Sequence, residues 1–98
     1  MQVDLIHNQI QTISPATGKV IASYDITNTE QISKKVNDAR ASFEKWKRKN
    51  ISERRDYIRR LAKIMKKNKD QYAKIITEEM GKPITQSYAE IDKCVLLC

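Results

Sequence analysis

From Ile32 to the last residue, apolar side chains return every three or four positions, the repeat that builds one stripe along a helix. Ile32, Val36, Ala39, Phe43 and Trp46 form the first stripe. Asn28 and Thr29 offer a cap and Glu30 a first-turn negative charge, which predicts a helix over about residues 30–48. Lys47 to Ile51 is a short polar connection, of a length that lets two helices pack antiparallel. Ser52 then supplies a cap and Glu53 a first-turn charge for a second helix over 53–67, with Tyr57, Ile58, Leu61, Ala62, Ile64 and Met65 as its stripe. The pattern slips after Lys66 and Lys67. Asn68 reads as a fresh cap, and Tyr72, Ile75, Ile76 and Met80 mark a third helix over 69–80.

Glu78 to Pro83, EEMGKP, is a stop followed by a restart. Gly81 supplies the left-handed conformation favoured just past a helix end, and Lys82 is placed to complement the carbonyl end. Pro83 cannot continue the old helix but can begin a new one. Ile84, Tyr88, Ile91, Val95 and Cys98 are the stripe of that fourth helix, over 84–98. It has no terminating signal, so the chain reads as cut in mid-helix.

Before Ile32 the period changes. Lys19 to Ile26 alternates and is rich in Val, Ile and Tyr, Ser14-Pro15-Ala16-Thr17-Gly18 is turn chemistry, and Thr12 and Ile13 end a short strand. A β-hairpin over about 12–26 is expected, too small to stand without a neighbouring layer. Met1 to Gln11 is weakly patterned, with Val3, Leu5, Ile6 and Ile10 as its sizeable apolar groups. The fold class is thus mainly α with an N-terminal β-hairpin.

The 98 residues suit one domain or a piece of a larger one. Charged residues make up 32% of the chain, above the usual quarter, as suits helices with solvated outer faces. The net charge of +7 is concentrated. Between Lys45 and Lys69 twelve basic residues stand against Glu53 and Asp56. A stripe of this density suits nucleic acid or another anionic surface, but Arg55, Arg59 and Lys63 also lie where a helix puts its wet face. The solvated face is the preferred reading, because Trp46 and Tyr57 fall on the apolar stripes rather than among the basic residues as stacking platforms.

The start lacks a signal peptide and no stretch approaches the roughly 18 apolar residues of a membrane span, so a soluble, cytoplasmic protein is expected. Cys94 and Cys98, four apart on a predicted helix, read as reduced, half-buried thiols. His7, the single histidine, has no partner at ligand spacing and reads as a surface or packing residue.

These segments together resemble the aldehyde dehydrogenase superfamily. ISPATGKVIASYDI at Ile13–Ile26 is similar to its opening Pro-Ala-Thr-Gly turn and Val-Ile-Ala strand, with Ser14 where asparagine is usual. ARASFEKW, followed by Ser52 and its arginines, is similar to its next helical stretch, and EEMGKPITQSYAEID matches its Gly-Lys-Pro turn and acid-bearing helix. The resemblance covers residues 13–98 in unbroken order. It implies an NAD- or NADP-dependent enzyme that oxidises aldehydes to acids. This segment would be an N-terminal scaffold within the α/β Rossmann-like NAD-binding domain, partnered by the remainder of the chain in a homo-oligomer.

The family's catalytic cysteine, general-base glutamate, oxyanion-hole asparagine and NAD-binding turn match nothing between Met1 and Cys98. No catalytic, cofactor-binding or metal residue is therefore assigned, and the segment by itself is expected to be inactive and to bind no NAD. Cys94 and Cys98 match no catalytic motif. Some members hold a monovalent cation, for which Thr12 and Glu90 would be the nearest matches; helix solvation explains Glu90 equally well. The EMGKP turn resembles members acting on small semialdehydes such as succinate semialdehyde.

Overall fold

The computed structural model describes the backbone of Gln2–Ile6 and the whole of residues 8–98; His7 lies outside the described residues. The chain begins with three antiparallel strands, β1 (Gln2–Ile6), β2 (Gln9–Ile13) and β3 (Val20–Asp25), in the order β1-β2-β3. The expected hairpin is therefore the second half of a meander. Its first half escaped the sequence because short strands at a sheet edge are specified by pairing partners more than by their own alternation. Asn8, at φ 64°, makes the tight connection between Ile6 and Gln9, a conformation asparagine tolerates better than most residues.

In the second connection the Ser14 N–H donates to the Lys19 carbonyl (2.9 Å) and the Gly18 N–H to the Ser14 carbonyl (2.8 Å). Gly18 sits at φ 69°. Thr12 pairs with Ala22 but Ile13 with Val20, so Ile21 is an extra residue on β3 that bends the strand.

Among the described residues four helices follow: α1 (Thr29–Trp46), α2 (Ile51–Lys67), α3 (Lys69–Met80) and α4 (Ile84–Leu97). Asn28 caps α1 in a reciprocal box with Gln31. The box on α2 is built by Asn50 and Glu53, which puts the cap two residues before the expected Ser52. The amide of Asn50 can accept from the Glu53 N–H (2.9 Å) while Glu53 reaches back to the Asn50 N–H (2.9 Å), and Ser52 is left inside the first turn. Asn68 does separate α2 from α3, but not as a side-chain cap; its amide donates backwards to the Ile64 carbonyl.

Packing is concentrated in α2, α3 and α4. Ala73 and Ser87 are fully buried and Ile91 is 6% exposed, so small side chains let α3 and α4 approach closely. The hydroxyls of Thr77 and Ser87 hydrogen-bond at 2.8 Å, and Lys69 pairs with Asp92 at 2.6 Å, which fixes the two helices antiparallel. The expected antiparallel packing of α1 on α2 does not occur along their length. They meet at their shared corner, where Trp46 and Tyr57 stack edge to face with centroids 5.2 Å apart. No residue of α1 is buried.

The result is a slab of 48 × 38 × 15 Å with a radius of gyration of 17.5 Å, against about 13 Å for a closed domain of this length. Its accessible surface of 8067 Å² compares with roughly 5,800 Å² for a compact chain of this mass. Ala73 and Ile91 are the buried hydrophobic side chains among the described residues. The stripes on Trp46, Leu61 and Ile91 do not close into a shared core.

Candidate functional site

The two turns that the sequence marks by their glycines meet. Gly81 ends α3 at φ 68°, its N–H donating to the Thr77 carbonyl at 3.0 Å. A Cβ built there would lie 3.0 Å from Cγ of Pro15, so the Ser14–Gly18 turn is seated against the elbow between α3 and α4. Pro83 stands at the head of α4, and its carbonyl accepts from the Gln86 and Ser87 N–H groups. Lys82 does not reach back to the α3 carbonyls as expected. It is drawn forward onto the carboxylate of Glu90, one helical face along α4.

A hollow beside this joint is lined by Ser14, Thr17, Lys19, Val20, Ile21 and Glu78. The Ser14 and Thr17 hydroxyls accept the Thr17 and Lys19 N–H groups, so they hold the turn rather than project as nucleophiles. The joint positions the sheet; it has no base to activate a hydroxyl.

A second cluster ties α3 to α4. The neighbouring Asp70 carboxylate, as hydrogen-bond acceptor and negative charge, raises the Tyr88 phenol above its ordinary value of 10.0, with desolvation adding to the shift and Lys69 opposing it. The Lys69 ammonium also lies 5.2 Å from the Tyr88 ring centroid.

The third feature is extended. The stripes of α1 and α2 face outwards, with Ile32 51%, Phe43 58% and Leu61 46% exposed. Along α1 this opens a hollow of about 650 Å³ bordered by Val36, Ala39, Arg40, Ala41, Phe43 and Glu44. At the α1–α2 corner cations sit over the rings: Arg60 at 4.4 Å and Lys49 at 5.4 Å from Tyr57, and Lys47 at 5.8 Å from Phe43. The sequence reading missed these pairs, although Phe43–Lys47 and Tyr57–Arg60 have the spacings at which helical neighbours meet.

Among the other residues weighed in the sequence, Cys94 is exposed and not half-buried as expected, while Cys98 is half-buried; both are free thiols. Too little of the chain packs on the last turn of α4 to cover Cys94. Thr12 is buried with its Oγ1 lacking a partner among the described residues, whereas the carboxylate of Glu90 is engaged by Lys82. None of these contacts joins Thr12 to Glu90. No group of three His, Cys, Asp or Glu suited to a metal occurs among the described residues, and no helix there is long and apolar enough to cross a membrane. A nicotinamide dinucleotide needs a glycine-rich turn leading from a strand into a helix N-terminus. Gly18 leads into β3 and Gly81 is packed on Pro15, so these residues do not form that cradle.

The sequence profile of the Aldehyde dehydrogenase family matches residues 3–98. The chain belongs to this family. It is 33% identical over 89 residues to a probable succinate-semialdehyde dehydrogenase (NADP(+)) of Synechocystis sp., a match covering 91% of this chain and 20% of that protein. It is 36% identical over 80 residues to a malonate-semialdehyde dehydrogenase of Bacillus cereus (82% and 16%), and 34% identical over 87 residues to the succinate semialdehyde dehydrogenase (NAD(P)+) Sad of Escherichia coli (89% and 19%). The chain thus spans a fifth or less of the length of these relatives. Within the aldehyde dehydrogenase family, its Pro15–Gly81 joint and outward stripes are features of a segment that is homologous to the N-terminal part of such enzymes.

Proposed function

We propose that this chain is the N-terminal scaffold of an NAD(P)-dependent aldehyde dehydrogenase, in which α1, α2 and the meander cover an α/β nucleotide-binding sheet supplied by the remainder of the enzyme. The observation that carries the reading is the uncovered apolar surface of α1 and α2: stripes of this regularity form where a second layer buries them. The family match supports the choice of layer. Cofactor and aldehyde belong to that remainder, because the glycines here are spent on turns and the hydroxyls on holding them. The relatives' names direct the substrate reading to short semialdehydes that carry one carboxylate beside the aldehyde. Assembly into a homo-oligomer is part of the same proposal.

The test compares the protein from the full natural reading frame with residues 1–98 alone. Reduction of NAD or NADP is followed in the presence of succinate and malonate semialdehyde. Turnover is expected from the former, and neither turnover nor tight NAD binding from the latter. Dehydrogenase activity in the isolated 98 residues overturns the scaffold reading.

A further inference from the structure

What sets α2 apart is the number of its unpaired cations, since Lys35, Arg40 and Lys45 of α1 and Lys93 of α4 also lack a carboxylate partner among the described residues. Lys34, Lys47, Lys69, Lys74 and Lys82 each have a carboxylate partner. Among the described residues, Arg55, Arg59, Arg60, Lys63, Lys66 and Lys67 have none, and all six are exposed. Glu53 is spent on the capping box, which leaves Asp56 as the other acid of the helix. Like charges stacked at four-residue spacing repel, so a bland solvated face would gain from acids interspersed among them.

We propose that this face of α2 is a docking surface for the phosphodiester backbone of nucleic acid. Arg55, Arg59, Lys63 and Lys67 follow one another in ~6 Å steps along about 18 Å of helix, a length that meets roughly five phosphates of one strand. Arginine forks suit phosphate oxygens, and backbone binding of this kind needs neither base contacts nor a stacking platform. Arg59, Lys63 and Lys67 lie across the helix from Leu61 and Met65, so covering that stripe leaves these cations outward. The same opposition argues against a lipid surface. An interfacial helix holds to lipid by burying its apolar face, and in the scaffold proposed above, on which this exclusion rests, that face is covered by the remainder of the enzyme.

The experiment measures fluorescence anisotropy of labelled 20-nucleotide single strands and duplexes with the protein from its natural reading frame. Sequence-indifferent binding is expected at 50 mM salt, with a slope of log affinity on log salt of about −4 and a loss of a few hundred-fold by 200 mM. Arg55→Gln/Arg59→Gln/Lys63→Gln should weaken binding at least tenfold and flatten the slope by about two, while Arg55→Lys/Arg59→Lys stays within about threefold. Absence of binding at 50 mM, a slope near zero, or indifference to the glutamine variant overturns the proposal. So does displacement of the oligonucleotide by polyglutamate at equal charge, or equal affinity for phosphatidylglycerol vesicles. The scaffold reading stands or falls separately, on dehydrogenase activity.

Discussion

Two glycines with nearly the same backbone angle carry different burdens. Gly18, at φ 69°, has open space where a Cβ would go, whereas Gly81, at φ 68°, has Pro15 against it. Gly18→Ala is expected to cost about 1 kcal/mol, the strain of a left-handed residue, and Gly81→Ala about 2 kcal/mol or more. Pro15→Ala in the Gly81→Ala background should recover the excess, because it removes Cγ and leaves Pro15 Cβ at an ordinary 3.7 Å. Urea denaturation of these three variants and of Pro15→Ala alone checks the cycle; equal losses at both glycines would show that the joint carries no energy. Tyr88 gives a pH signature. Its folded pKa is raised, so its contribution is fully present below the unfolded value near 10 and is lost as pH rises through the folded value. Tyr88→Phe should flatten the alkaline fall in stability, and Asp70→Asn should move the phenol's absorbance titration back down. The glycine stop was legible in the sequence, since glycine adopts that backbone angle far more readily than other residues. Its neighbour was not, because Pro15 is 66 positions away along the chain and only folding brings it there.

At the scale of elements, local chemistry set the helix limits more finely than the stripes could. The sequence reads Ser52 as the cap, and the box formed with Glu53 selects Asn50 instead because the two side chains then satisfy each other's N–H groups. Asn50→Ala is predicted to cost about 1 kcal/mol and Ser52→Ala less than about 0.5 kcal/mol in thermal denaturation. The reverse ranking would restore Ser52 as the cap. The break at Asn68 and the restart at Pro83 were visible in sequence as interruptions of the repeat. The first strand was not visible. Gln2–Ile6 acquires its register from β2, residue by residue from Gln2 with Ile13 to Ile6 with Gln9, and a pairing partner is not a local property.

For the molecule as a whole, the decisive quantity is the surface left uncovered, 8067 Å² over a slab 15 Å thick. Ile32, Val36 and Phe43 stay about half exposed in this chain, yet they are spaced for packing. Replacing all three with Ser should therefore leave the melting of the isolated 98 residues unchanged while reducing dye binding to exposed apolar surface. In the longer enzyme proposed above, the same substitutions should destabilise by about 2 kcal/mol or more per site. Equal effects in both settings would mean that nothing covers α1.

The sequence by itself determined the helices, their stops and the family, since these rest on short-range spacing and on side chains that act within a turn of themselves. It also announced four stripes without saying which would meet. Tertiary structure decided that α3 and α4 close on Ala73, Ser87 and Ile91, that Pro15 locks onto Gly81, and that α1 and α2 keep their apolar faces outward. The physical reason is that small residues permit close approach where they happen to face each other, while larger stripes wait for a complementary surface, and that complementarity is a property of two surfaces together.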